Sequence, residues 1–288
     1  MPKLTPSKFA IENSENDLKR SNFIFSLLQD IPKIDNNKSI KTSLIPKTII
    51  QFWDDANSIP EDVRKCMDSW RLLKKNGYTY ILFNEKSARE YISSELDKEH
   101  LRAFDNCYHP AMKSDYFRLC YINCSGGMYV DADDVHTGLN INNLFTNSKL
   151  KLQPLCYDIE TDQMVGPQSF LNNNIKNDNW IYYFNNNPLI STNYNPIVGY
   201  ALERATNILL NIDHSNLPEI QSTAGPGNIT SSIVAAHLSP SCINEFEVIN
   251  NWDQLSRTVW PLSYRNDSRN WRASNRQKFS RTEKEYSL

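Results

Sequence analysis

The chain has 288 residues, 40% of them hydrophobic, which is enough to bury one generous core. A net charge of −2 excludes a global positive field that would recruit nucleic acid. The six cysteines form no Cys-x-x-Cys pair and adjoin no histidine in a ligand pattern, which excludes a zinc ribbon and fits reduced thiols in a cytoplasmic chain.

Residues 1–44 read as a helical N-terminal extension, because Phe23, Ile24, Leu27 and Leu28 recur at helical spacing before Pro32. No apolar leader with a cleavage site opens the chain, and nowhere do roughly twenty apolar residues run together, so a soluble, unexported protein is expected. Residues 45–288 then form one catalytic-sized domain. The run 47–52 is a buried-type strand ending in Trp53-Asp54-Asp55. Pro60 opens a helix that Gly77 stops, residues 78–83 form a second strand, and Asn84 and Asp97 each cap a helix. This strand-helix-strand beginning predicts an α/β sheet with mainly parallel pairing.

Further along, residues 150–157, 180–184 and 246–249 read as strands. Helices are expected over 197–210, after Pro196, and over 229–237, after the turn-forming Thr223-Ala224-Gly225-Pro226-Gly227. The asparagines at 172–174 and 185–187 read as loop composition. Arg265, Arg269, Arg272 and Arg276, spaced four, three and four, would share one helical face, either as a solvated stripe or in peripheral contact with anionic lipid at the inner face of a membrane.

The richest stretch is 111–138. A helix opened by Pro110 and closed by Gly126-Gly127 leads into a short strand, residues 128–130, followed by Asp131, Asp133 and Asp134. Ligands of α/β sheets bind beyond the carboxyl ends of strands. If the strand continues, spacing two points Asp131 and Asp133 the same way, where they could grip one divalent cation. Hard oxygen ligands select Mg²⁺ or Mn²⁺; the plainer alternative is a solvated strand-end turn. Asp115 and Arg118, one helical turn apart, suit sugar hydroxyls as an acceptor and donor pair, or else form an intrahelical salt bridge. His136 is expected behind the site or on the surface.

The runs Ile45-Pro46-Lys47-Thr48-Ile49-Ile50-Gln51-Phe52-Trp53, Ala111-x-x-Ser114-Asp115-x-x-Arg118 and Gly126-Gly127-x-Tyr129-x-Asp131-x-Asp133 together resemble the glycosyltransferase family with the DXD sugar-binding region. That family includes yeast-type mannosyltransferases and bacterial capsule or lipopolysaccharide transferases, and it is related to the clostridial glucosylating toxins. The resemblance implies a GT-A-like α/β fold with a mixed, mainly parallel sheet and additional helices at both ends. It also implies transfer from a UDP- or GDP-sugar to a hydroxyl of a glycan, lipid-linked glycan or protein, with retention and with Mn²⁺ or Mg²⁺, in surface polysaccharide synthesis.

Carried over by position, Trp53 looks like the residue stacked near the nucleobase, and Ser114, Asp115 and Arg118 like the donor-sugar contacts. Asp131 looks like the carboxylate touching ribose or sugar and the metal's waters, and Asp133 like the direct metal ligand. Thr223, Gly225 and Pro226 are similar to the family's T-G-P turn, with Ala224 inserted. Where the family often has histidines before a C-terminal Ser-Trp, residues 264–271 read YRNDSRNW; Trp271 could cap the donor and an arginine could handle the diphosphate. Two alternatives from other classes are a phosphatase-like hydrolase using Asp131 and Asp133, and a catalytically silent sugar-nucleotide binder.

Overall fold

A computed structural model describes residues 14–30, 44–171, 176–237 and 245–279. The first half runs α1 (Ser14–Asp30), β1 (Thr48–Phe52), α2 (Glu61–Arg71), β2 (Thr79–Phe83), α3 (Glu85–Glu95), α4 (Lys98–Asn106), α5 (Pro110–Ser125), β3 (Gly127–Tyr129) and β4 (Asp134–His136). Then follow β5 (Leu150–Leu152), β6 (Pro154–Asp158), β7 (Gln163–Met164), α6 (Pro167–Leu171), β8 (Trp180–Phe184), β9 (Leu189–Ser191) and α7 (Pro196–Leu210). The chain continues through α8 (Ile220–Thr223), α9 (Pro226–His237), β10 (Phe246–Val248), α10 (Trp252–Leu255), β11 (Ser256–Thr258) and α11 (Trp271–Ser274).

The central sheet has the order β10-β5-β9-β3-β1-β2. Both neighbours of β1 run parallel to it, and β10 runs parallel to β5, while β9 is antiparallel to both of its partners. The sheet is therefore mixed and mainly parallel, as expected. Strand β1 lies inside it, and its residues from Ile49 to Phe52 are all buried, which is why TIIQF is nearly continuous in apolar character. The one polar residue of that buried stretch, Gln51, donates to the Asp131 carbonyl at 2.9 Å and accepts from Tyr80 Oη at 2.8 Å, so a core strand pins the acidic turn.

Helix α5 buries Met112, Asp115, Tyr116, Phe117, Arg118, Leu119, Cys120, Tyr121 and Ile122, hence faces on all sides, and it carries two charged groups into the interior. On the far side α1 adds Ile24, Leu27 and Leu28 to the same core cluster, and its Ser21 Oγ accepts from the Tyr182 N–H of β8 at 3.0 Å. Asn84 and Asp97 cap α3 and α4 as anticipated, Asn84 in a reciprocal box with Ser87.

Two expectations need correction. Residues 150–157 are not one strand: at Gln153 the chain leaves the central sheet, and β6 pairs instead in an antiparallel three-stranded sheet of order β7-β6-β8. Pro154 begins the second strand because a proline cannot donate to a ladder from within. The four C-terminal arginines share no helical face either. Residues 263–266 are a 3₁₀ turn, α11 spans four residues, and Arg276 sits at φ +61°. Asp267 accepts from the Arg269 N–H at 2.7 Å and Asn270 from the Arg272 N–H at 3.3 Å, and such short side-chain bonds to backbone compete with a continuous helix.

The Gly126-Gly127 pair that ends α5 lies at φ +69° and +115°, a region open mainly to glycine. A Cβ on Gly126 would meet the Asn193 nitrogen at 2.8 Å, and one on Gly127 would meet the Thr48 carbonyl oxygen at 2.8 Å. The pair thus lets β3 slide between β1 and β9. Gly126→Ala is expected to destabilise the fold by about 3 kcal/mol, combining positive-φ strain with a backbone clash, as read by urea unfolding.

Candidate active site

Beyond the carboxyl ends of β1 and β3 lies a cavity of about 590 Å³. Its walls include Trp53, Ser114, Asp115, Arg118, Asp131, Asp133 and Trp271, so seven of the sequence-predicted residues meet at one place. Gly225 lies directly behind it: a Cβ there would stand 3.0 Å from Asp115 Oδ2 and 2.9 Å from Gln221 Cα. The Thr-Ala-Gly-Pro turn thus abuts Asp115 despite the inserted Ala224.

Arg118 organises the floor. One amino group, Nη2, reaches Asp131 Oδ1 at 2.7 Å, Asp115 Oδ1 at 3.0 Å and Ser114 Oγ at 3.3 Å, while Nη1 donates to the Asn186 carbonyl at 2.9 Å. Its guanidinium carbon stands 4.0 Å from the centre of the Tyr129 ring, a cation on an aromatic face. The Asp115–Arg118 pair is therefore both the intrahelical ion pair and a cavity wall. Burial pushes the Asp115 carboxyl up to about 6, with Arg118 opposing and Asp131 adding to the rise.

The three aspartates do not act as one cluster. The strand does not continue past Tyr129; Asp131 to Asp134 form a turn in which the Asp134 N–H donates to the Asp131 carbonyl at 3.2 Å. Asp131 and Asp133 face the cavity through that turn rather than through strand alternation. Asp134 points away into the core, fully buried, and accepts from Thr258 Oγ1 at 2.6 Å, Asn187 Nδ2 at 3.0 Å and Ser256 Oγ at 3.2 Å. Burial and the neighbouring Asp133 push its carboxyl up to about 7. It anchors β4 to β11 and is not a candidate metal ligand. His136 is likewise outside the cavity, 4.8 Å from the Trp70 ring and hydrogen-bonded to the Leu139 carbonyl at 3.0 Å.

Pairing of β11 with β4 brings the C-terminal segment onto the acidic turn. Tyr264 Oη donates to Asp133 Oδ2 at 2.8 Å, and Arg265 makes a close ion pair with the same oxygen. Arg269 pairs with Asp54 at 3.2 Å and with Asp267 at 2.9 Å, while Tyr264 packs edge-on to Trp53 at 5.4 Å. Arg265, Arg269 and Arg272 all line the cavity, in place of the helical surface stripe expected from their spacing. Burial raises the Asp133 carboxyl above its ordinary range, as does the Asp131 charge, against the pull of Arg265 and Tyr264.

Three side-chain donors in these walls are buried without an acceptor: Trp53 Nε1, Arg118 Nε and Arg265 Nε. Such groups are costly unless a ligand supplies oxygens. Asp131 Oδ2 and Asp133 Oδ1 in turn accept from no other residue's donor among the described residues. No group of three or more His, Cys, Asp or Glu side chains converges as a closed metal cage among the described residues. Two carboxylates with one free oxygen each nevertheless fit Mg²⁺ or Mn²⁺, ions that commonly retain water and take phosphate oxygens as further ligands.

Sequence inspection missed the loop after β8. Asn186 Nδ2 donates to Asp115 Oδ1 at 2.9 Å, and Asn187 Oδ1 accepts from the Asp131 N–H at 3.0 Å, so these asparagines set both acidic groups. A polar run enclosed by two apolar strand-like runs was the available signal.

Residues 60–151 match the family described as the glycosyltransferase sugar-binding region containing the DXD motif. This segment resembles a glycosyltransferase sugar-binding region. The region holds Ser114, Asp115, Arg118, Asp131 and Asp133, whereas Trp53, Arg265 and Trp271 reach the cavity from outside it and Gly225 backs Asp115. Over 120 residues the chain is 28% identical to a glycosyltransferase of Acanthamoeba polyphaga mimivirus, covering 36% of this chain and 47% of that protein. Over 98 residues it is 34% identical to the mannosyl phosphorylinositol ceramide synthase of Saccharomyces cerevisiae, covering 33% of this chain and 24% of that enzyme. The chain thus matches less than half the length of either relative. The solved PaToxG glycosyltransferase overlays 80% of this chain and 81% of its own at a TM-score of 0.45 and 17% identity.

Proposed function

We propose that the chain transfers a sugar from a UDP- or GDP-sugar to an acceptor hydroxyl, with Asp131 and Asp133 holding Mn²⁺ or Mg²⁺. One observation carries this function: within a segment that matches a sugar-binding region, Asp115, Arg118, Asp131 and Asp133 converge on a single cavity that also contains buried donors lacking acceptors. A bound divalent ion would neutralise charge on the departing diphosphate.

The chain's own groups do the rest. Asp115, fixed by Arg118 and Asn186, accepts hydrogen bonds from sugar hydroxyls, while the Arg118 Nε–H offers a donor to a sugar oxygen. Trp53 at the cavity wall gives the base an aromatic surface, and Trp271 supplies a second aromatic side chain to the wall. Asp115 is tied to two partners, which favours a role in orienting an oxocarbenium-like sugar over attack on it, so retention would require same-face delivery of the acceptor rather than a covalent intermediate on Asp115.

A thermal-shift panel of nucleotide sugars with and without Mn²⁺ tests this directly, because a ligand bound only by the folded state stabilises it in proportion to its affinity. At least one UDP- or GDP-sugar should raise the melting temperature more with Mn²⁺ than without, and should release its nucleoside diphosphate on incubation. No shift with any donor would remove the proposed function.

The Asp115 carboxyl, raised to about 6, adds a pH signature. It accepts two hydroxyls only when ionised, so donor affinity should climb as pH passes upward through that value and should lose this dependence in Asp115→Asn. Because the folded state holds this proton more tightly than the unfolded chain, the same ionisation lowers stability as pH rises through 6. Calorimetric titration and urea unfolding across this window measure the two opposing trends.

A further inference from the structure

Arg265 sits on the carboxylate that the proposed function gives to the metal. Its Nη2 donates to Asp133 Oδ2, the oxygen that Tyr264 Oη also reaches. The guanidinium carbon stands 4.5 Å from the centre of the Trp260 ring and 5.1 Å from that of Tyr264, so two aromatic rings hold it in place. Both side chains of the pair are only 14% exposed. In so sheltered a position, a guanidinium and a dication on one carboxylate repel each other with little screening.

The arginine is also incompletely satisfied. Its Nε–H is buried and meets no acceptor, although a guanidinium presents a planar fork of donors that matches phosphate oxygens. Arg269 is committed to Asp54 and Asp267. Arg272, with its guanidinium 4.8 Å from Trp260 and 4.6 Å from Trp271, has no ion pair among the described residues and lowers the cost of placing further negative charge here.

We propose that Arg265 is the resident counter-ion of Asp133: it holds that carboxylate against a divalent cation until a diphosphate draws the guanidinium away, so that metal and nucleotide bind cooperatively. This exchange rests on the metal assignment at Asp133. Linkage requires that the nucleoside diphosphate raise metal affinity by the same factor as the metal raises nucleotide affinity. Arg265 is then a device for loading both ligands together.

The test is Mn²⁺ binding to the whole chain, followed through the electron paramagnetic resonance signal of the free ion, alone and with UDP or GDP. Arg265→Gln should bind Mn²⁺ without nucleotide on the order of tenfold more tightly than the natural protein, the scale of one lost charge-assisted bond, and the enhancement by nucleotide should shrink. Arg265→Met, whose stem keeps the contact with Trp260, should behave in the same way, and Arg265→Lys should bind Mn²⁺ as weakly as the natural protein. Equal or weaker Mn²⁺ binding by both the Gln and Met variants, with binding still lost in Asp133→Asn, overturns the exchange alone. Mn²⁺ binding untouched by Asp133→Asn overturns the exchange together with the metal assignment.

Discussion

On the proposed function, Asp133→Asn is expected to lower sugar-transfer turnover by on the order of a thousandfold, because the site would lose a charge that would hold a divalent cation against the leaving diphosphate. The substitution is nearly isosteric and keeps an acceptor oxygen for Tyr264 Oη. Burial already disfavours the charged form of Asp133, so a neutral amide relieves part of the cost of leaving Arg265 without its partner. The variant should therefore fold and unfold cooperatively while failing in catalysis. Steady-state release of nucleoside diphosphate in saturating Mn²⁺ measures this, and turnover within tenfold of the natural protein would falsify the assignment of Asp133 as the metal's ligand.

Arg118→Ala should show the largest loss of stability at the site. The natural guanidinium is 3% exposed and faces two carboxylates, Asp115 at 3.0 Å and Asp131 at 2.7 Å, from inside the protein. Removing it leaves Asp115 buried with no counter-charge, a change that typically costs about 3–5 kcal/mol. The Asp115 carboxyl should then titrate above its present value near 6, moving the pH dependence of stability with it. Arg118→Lys keeps the charge but not the fork: one ammonium cannot serve Asn186, Ser114 and both aspartates, so it should recover part of the stability and little of the turnover. Combining Arg118→Ala with Asp115→Asn should destabilise less than the sum of the two single changes, since the second removes the stranded charge. Urea unfolding of the four proteins completes that cycle, and strict additivity would show that the pair does not act as a unit.

Part of this site was legible in the linear chain because its signals are local. Asp115 and Arg118 lie one helical turn apart, so their spacing alone puts them together. Gly126-Gly127 announced the end of α5, and the apolar run after it announced a strand whose carboxyl end is where a ligand belongs. The division of labour among the aspartates was not legible. Asp131, Asp133 and Asp134 look equivalent in sequence, but Asp134 is turned inward by Thr258, Ser256 and Asn187, which come from elements 53 to 124 residues away. The arginines from 265 to 276 misled for the same reason. Helical spacing is a property of neighbours in sequence, whereas Asp267 and Asn270 divert the local backbone and Asp133 and Asp54 claim the side chains from across the fold.

Composition and pattern alone determined an α/β chain with a helix delivering Asp115 and Arg118 and a strand end delivering Asp131 and Asp133. These features depend on the 3.6-residue and 2-residue periods and on glycine's conformational range, which act over a few residues. Only the tertiary structure decided that Asn186 and Asn187 set the acidic groups, that Asp134 is a core anchor, and that Arg265 rests on Asp133. Those relations come from long-range strand pairing, above all of β4 with β11, and the burial it imposes determines which charges must find partners.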